Sequence, residues 1–353
     1  MGHSINHIPD RQVLVDGKPH LYFGGTAYLG LQNHPPFKDL FVQNVSKYGM
    51  HYGASRKSNV VLDIYNKTEN YLANWAGSES CLTMSSGYLV AQLVVQTLIE
   101  KGHTVIAAPH AHAALCTKEV IETKGWEELE QLVSKEIAKN QLMPVVLFDT
   151  IDFSGEQFPS FNSLRKLSLD KVILIGDDSH GIGIVGENGN GCFNMLKALN
   201  PAKLMVCCSL GKALGIQAGA VFGAKEDIQM LESTPFYGGA SPASPAFMAT
   251  LLEAREIYSE RLEKLRDNYR YFKSMLKRPS FFSHMEGHPT FEFQNAKVAS
   301  SLNKGGFVFT NFNYPDANGP IVSRLVLSAY HKKEDVVNLT HSINTQQINQ
   351  DFS

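Results

Sequence analysis

Long apolar runs are missing from this chain of 353 residues. None approaches the roughly 20 residues that a membrane-crossing helix needs. An excess of one charge is missing as well. Lys and Arg number 32 against 34 for Asp and Glu, so the basic footprint of a nucleic-acid binder is absent. Cysteine is scarce: Cys81, Cys116, Cys192, Cys207 and Cys208, with no CxxC pair. An odd count without paired spacing argues against a disulfide framework and against a zinc site, so no metal is expected. The opening MGHSINHIPD has neither the basic nor the apolar stretch of a secretory signal, and Asn6 stands where a myristoylation signal wants Ser or Thr. No internal repeat or low-complexity segment interrupts the chain. These absences predict a cytoplasmic protein with no membrane span and no nucleic-acid partner.

What is present is enough apolar material for a large core, 43% of the residues. The length exceeds the range of one hydrophobic core, which predicts a large domain and a smaller one. Short apolar runs at 103–109, 143–150, 171–178, 202–210 and 219–224 read as strands. Helical patterns at 87–101, 112–123 and 125–139 lie among them. Strands apolar on both sides and separated by helices predict an α/β fold around a mainly parallel sheet. From 244 to 277 the pattern reads as one uninterrupted helix, long enough to bridge two domains. Short strand signals follow, then a last helix from about Lys333, which together predict a small α+β C-terminal domain. The expected division is 1–48 packing with the small domain, 49–243 as the large domain, and 244–353 as bridging helix and small domain.

In a parallel sheet, ligands bind beyond the carboxyl ends of the strands. Asp177 and Asp178 end one apolar run, Ser209 and Lys212 follow another, and His110 and His112 follow a third. Lys212 lies in SLGKALG (209–215), where Gly211, Ala213 and Gly215 leave room for a flat ring. A lysine amine whose pKa is lowered by its surroundings forms imines with carbonyls. Asp177, in GDDSHGIG (176–183), closes its strand as an acid paired with a buried cation would. Pyridoxal 5'-phosphate (PLP) needs both groups: an amine for its aldehyde and an acid for its ring nitrogen. The two segments together predict a PLP site.

The same two segments resemble the Asp-x-x-His and Ser/Thr-x-x-Lys signatures of fold-type I PLP enzymes. The match is fullest with the α-oxoamine synthase family, from about Gly25 to Asp335. The resemblance implies a PLP-dependent transferase fold of the aminotransferase type, with a seven-stranded, mainly parallel sheet in the large domain. It implies that Lys212 carries PLP as a Schiff base, Asp177 holds the ring nitrogen, and His180 bonds the ring hydroxyl. His112, in HAHAAL (110–115), takes the place of the stacking histidine. Ser86, Gly87 and Tyr88, in SSGYLVAQ (85–92), take the phosphate at a helix N-terminus, where free N–H groups and the dipole favour an anion. Ser209 resembles a second phosphate-binding residue. Ser241, in GGASPASP (238–245), resembles one that serves the neighbouring subunit and so implies a homodimer. Arg324, in SRLVLSAYH (323–331), takes the place of the arginine that binds the amino-acid carboxylate.

The family reaction condenses an amino acid with an acyl thioester, on coenzyme A or an acyl-carrier protein, and releases carbon dioxide. The chain departs from the family where Thr26 and Ala27 replace Ser-Asn before the Tyr-Leu-Gly-Leu core. It departs again where Val326 replaces the second arginine of Arg-x-Arg. A thinned glycine-rich stretch, YGASRKSN (52–59), keeps its Arg56. These departures fall near the family's substrate groups, so another PLP reaction, such as transamination, is the alternative.

Overall fold

A computed structural model of the protein describes residues 4–139, 141–313 and 318–350. Among them are twelve strands: β1 (Gln12–Val15), β2 (Lys18–Phe23), β3 (Ser80–Met84), β4 (Val105–Ala107), β5 (Ile121–Glu122), β6 (Val145–Asp149), β7 (Ile173–Asp177), β8 (Lys203–Ser209), β9 (Gly219–Gly223), β10 (Thr290–Glu292), β11 (Phe307–Asn313) and β12 (Ile321–Val326). The chain divides into two compact units. One comprises 1–38, 153–156 and 256–353, the other 39–152 and 157–255. Residues 39–48 and 244–255 thus group with the second unit.

The first unit holds a five-stranded sheet in the order β1-β2-β11-β12-β10. It is antiparallel except where β11 runs parallel to β2. The second unit holds a seven-stranded sheet in the order β3-β9-β8-β7-β6-β4-β5. Only β9 runs against its neighbours, and β8, β7, β6, β4 and β5 are parallel. The α/β expectation and the mainly parallel seven-stranded sheet are both borne out.

The period of two along these strands decides what reaches the site. Val145 and Leu147, Ile173 and Ile175, and Met205 and Cys207 share one face. They pack there with Val90, Leu93, Val94 and Leu98 of the helix Gly87–Glu100. The next residues of the same parity are Asp149, Asp177 and Ser209. Three polar side chains therefore emerge at three adjacent strand ends, on the face where that helix begins. The alternate parity carries Thr150 and Asp178 to the opposite face, where the Thr150 hydroxyl donates to Asp178 Oδ1 at 2.5 Å. The Cys192 amide donates to Asp178 Oδ2 at 2.9 Å. Burial pushes the Asp178 carboxyl up to about 6.

Two sequence expectations need correction. Residues 112–123 are not a helix but a series of turns ending in β5. The Thr123 N–H and hydroxyl both donate to the Ala107 carbonyl, at 3.2 and 2.7 Å, and draw the β-branched run Val120–Ile121 onto the sheet edge. The helix expected over 244–277 is two, Pro245–Glu253 and Arg255–Met275. Ala254 leaves helical geometry at φ −86°, ψ 21°. The break falls where a helix buried on most sides gives way to one rich in surface charge, at the boundary between the two units. No described helix is long and apolar enough to cross a membrane.

Candidate active site

A pocket at the carboxyl ends of β6 and β7 is lined by His112, Asp149, Ile151, Asp177, His180 and Lys212. Each element brings its residue for a local reason. Asp177 ends β7, and its Oδ1 accepts the Ser179 N–H at 2.9 Å, a turn closed by its own side chain. The turns that follow carry His180, whose Nε2 is hydrogen-bonded to Lys212 Nζ at 2.9 Å. Lys212 sits three residues past β8, and Ser209 is tied to the same turn by its N–H donating to Ser179 Oγ at 2.8 Å. His112 enters from the turns after β4. Its N–H donates to Asp149 Oδ1 at 3.1 Å, and its Nδ1 accepts the Ala114 N–H at 3.1 Å. That leaves the ring proton on Nε2 of the neutral imidazole.

The electrostatics follow from burial. Desolvation lowers the Lys212 pKa, and the charges of Asp177 and Asp149 partly restore it. Burial pushes the Asp149 carboxyl up to about 7. The Asp177 charge adds to that rise, while the His112 amide and Lys212 oppose it. A lysine of reduced basicity can bind a carbonyl compound covalently, and an acid facing it can hold a protonated ring nitrogen.

Ser86 and Gly87 stand next to Ser209. A Cβ on Gly87 would lie 2.7 Å from Ser209 Cα, so only glycine lets the helix start approach β8 this closely. Ser86 is the N-cap, with its Oγ accepting the Leu89 N–H at 3.2 Å. Ser86→Ala is expected to cost about 1 kcal/mol of stability in a urea titration, the usual loss for a missing cap. It should also weaken PLP binding, because the helix start is the candidate phosphate cradle.

The structure thus gathers Lys212, Asp177, His180 and His112 in one pocket and brings Ser86, Gly87 and Ser209 together. Tyr88 is 57% exposed and is not among the lining residues. Ser241 is exposed in the extended segment ahead of the helix Pro245–Glu253. Arg324 lies in the first unit on β12. Its Nε donates to Glu292 Oε2 at 2.8 Å, and its guanidinium lies 4.4 Å from the centre of the Phe153 ring. Sequence reasoning missed Asp149 and Ile151. The signal was there, since MPVVLFDT carries an acid next to its end, at Asp149, much as KVILIGDD closes on Asp177 and Asp178. Among the described residues no His, Cys, Asp and Glu cluster could hold a metal ion.

Comparison with known proteins adds an independent line. The chain is 28% identical over 345 residues to 8-amino-7-oxononanoate synthase of Thermoanaerobacter pseudethanolicus, covering 92% of this chain and 86% of that one. It is 28% identical over 354 residues to the enzyme of that name from Methylococcus capsulatus, covering 95% and 91%. The α-oxoamine synthase resemblance is borne out. Among solved structures, serine palmitoyltransferase of Sphingomonas wittichii superposes with a TM-score of 0.81 at 17% identity, covering 97% of this chain and 91% of that one. The 8-amino-7-oxononanoate synthase of Francisella tularensis superposes at 0.72 and 18%, covering 95% and 99%. An SPT solved with PLP superposes at 0.79 and 18%, covering 98% and 92%. These likenesses establish the fold-type I architecture. No family model matches the chain.

Proposed function

We propose that this protein is a PLP-dependent acyltransferase that condenses an amino acid with an acyl thioester and releases carbon dioxide. The observation that carries the reading is the convergence of Lys212, Asp177, His180 and His112 on one pocket. The likeness to 8-amino-7-oxononanoate synthases, over 92% and 95% of the chain, supports it. The donor set fits PLP: a lysine of lowered pKa, a buried acid opposite it, and a capped helix start beside a serine.

When bound, PLP supplies an electron sink for the bond broken at the substrate α-carbon. Lys212 would provide the amine that holds the cofactor and, as a free amine, the base for the substrate α-proton. Asp177 would hold a proton on the ring nitrogen. His180, already bonded to Lys212 Nζ, is placed for the ring hydroxyl. His112 offers a neutral imidazole face for stacking. Ser86, Gly87, Tyr88 and Ser209 are the candidates for the phosphate. Arg324 is the candidate for the substrate carboxylate; Glu292 and Phe153 orient its planar fork, and two-bond recognition needs such a fixed plane. Ser241 is assigned to the phosphate of a neighbouring subunit, which makes a homodimer part of the proposal. The cytoplasm is its expected compartment.

The test is spectroscopic. Glycine, alanine and serine are added in turn to the PLP-loaded protein, with and without acyl-CoA, while the visible spectrum and carbon dioxide are followed. Thioester-dependent carbon dioxide release with one amino acid supports acyl transfer. Conversion to pyridoxamine phosphate, indifferent to the thioester, would replace it with transamination.

A further inference from the structure

Asp149 lines the same pocket as Lys212 and its charge bears on that amine, yet it has so far been given no positioning task of its own. It ends β6 directly beside Asp177, its partner in the parallel register. Its geometry gives it a definite task. The segment 110–117 that carries His112 is not a helix and has no ladder bonds of its own. The chain enters it through His110, at φ +63°. Ala111 N–H donates to Ala108 O at 3.2 Å, Leu115 N–H to His112 O at 2.8 Å, Cys116 N–H to Ala113 O at 3.2 Å, and Gln92 Nε2 to Ala114 O at 2.8 Å. The amide of His112 goes to the Asp149 carboxylate, an acceptor anchored in the middle of the sheet. The same turn then closes on the imidazole, through Ala114 N–H to His112 Nδ1. Backbone position and ring orientation are therefore set together, and the sheet-side end of that linkage is Asp149.

We propose that Asp149 is a positioning residue for His112, whose carboxylate fixes the turn from which the imidazole reaches the pocket. This deepens the PLP reading and rests on it, since the ring so placed is the one that would lie against the cofactor. Asp149 acts through His112, so the two losses should overlap. An independent contribution would make them multiply.

Two measurements decide the matter. The first is amide hydrogen exchange of the segment 110–117 in the protein free of PLP. At a pH above the value of about 7 to which burial raises the Asp149 carboxyl, Asp149→Ala should speed exchange there by roughly tenfold or more, the loss of one hydrogen bond to a charged acceptor. Asp149→Asn, which keeps an Oδ1 acceptor, should stay close to wild type. Unchanged exchange in Asp149→Ala would overturn the proposal. The second is PLP titration followed by absorbance for wild type, Asp149→Ala, Asp149→Asn, His112→Ala and the double variant Asp149→Ala/His112→Ala. The expected result is a similar weakening in the two alanine variants, about tenfold. The double variant should bind no more weakly than His112→Ala, and Asp149→Asn should recover most of the affinity. Multiplying losses, or an Asp149→Ala variant that binds as wild type does, would also overturn it. A wild-type chain that takes up no PLP would refute the functional reading, and the exchange measurement would still decide the role of Asp149.

Discussion

Lys212→Ala is expected to abolish covalent uptake of PLP and to lower the condensation rate by at least about 10³-fold, within the span assigned to a lost general base. The prediction rests on three features of the pocket. The amine is the one basic aliphatic nitrogen among the lining residues, it is bonded to His180 at 2.9 Å, and it faces both Asp177 and Asp149. Borohydride reduction of the loaded wild type should fix PLP on the peptide that contains Lys212, as read by mass spectrometry, and should leave the alanine variant unlabelled. The pH dependence follows with a definite sign. Only the neutral amine attacks an aldehyde, and burial holds the Lys212 pKa below the 10.5 of a free lysine. The rate of PLP capture should therefore rise with pH and level off below that value. The charges of Asp177 and Asp149 pull the Lys212 pKa upward. A variant without Lys212 that still turned over at the wild-type rate would remove the basis of the proposed mechanism.

Much of this site was legible in the sequence because polar residues that directly follow buried runs mark the strand ends of a parallel sheet, where ligands bind. Asp177 and Lys212 each follow a run of buried residues, and the parallel-sheet rule then places them at one edge. Asp149 obeys the same rule. It stands alone, without the flanking second acid and histidine that mark GDDSH. A parity count along 145, 147, 149 and along 173, 175, 177 would have put it on the same face. The same count separates the two acids of GDDS: Asp177 turns to the pocket and Asp178 to Thr150 and Cys192 on the other side. What periodicity could not supply was the shape of 112–123. Its apolar spacing suits a helix, yet the Thr123 donors to Ala107 and the His112 amide to Asp149 give the backbone better partners on the sheet. The break at Ala254 was equally silent, since alanine is the residue most compatible with a continuing helix. The break coincides with the passage from the buried helix Pro245–Glu253 to the charged helix Arg255–Met275.

The second large effect concerns Arg56, the residue that survives in the thinned glycine-rich stretch. Its two terminal nitrogens donate to both oxygens of Glu69, at 2.9 and 2.8 Å, and the two side chains are only 5% and 8% exposed. Its guanidinium lies 4.2 Å from the centre of the Tyr65 ring. Glu69 Oε1 also accepts the Thr83 N–H at 2.8 Å and the Thr83 hydroxyl at 2.7 Å. Breaking a buried pair by removing one partner costs about 3–5 kcal/mol, because the other charge stays buried and uncompensated. Against a total stability of about 5–15 kcal/mol, such a loss decides whether the domain is folded at working temperature. The two deletions should not be equal. Arg56→Leu leaves Glu69 with the two Thr83 donors, which offset part of the charge. Glu69→Leu strands the guanidinium and also a buried backbone N–H in β3, and should be the more damaging of the two. Its effect should reach the cofactor site, because β3 ends at Met84 and delivers Ser86 to the head of the helix Gly87–Glu100. Urea unfolding should rank the stabilities wild type, Arg56→Leu, Glu69→Leu. PLP affinity of the folded fraction should fall in the same order. Midpoints unchanged in both variants would mean that water reaches the pair and that it has no such structural role.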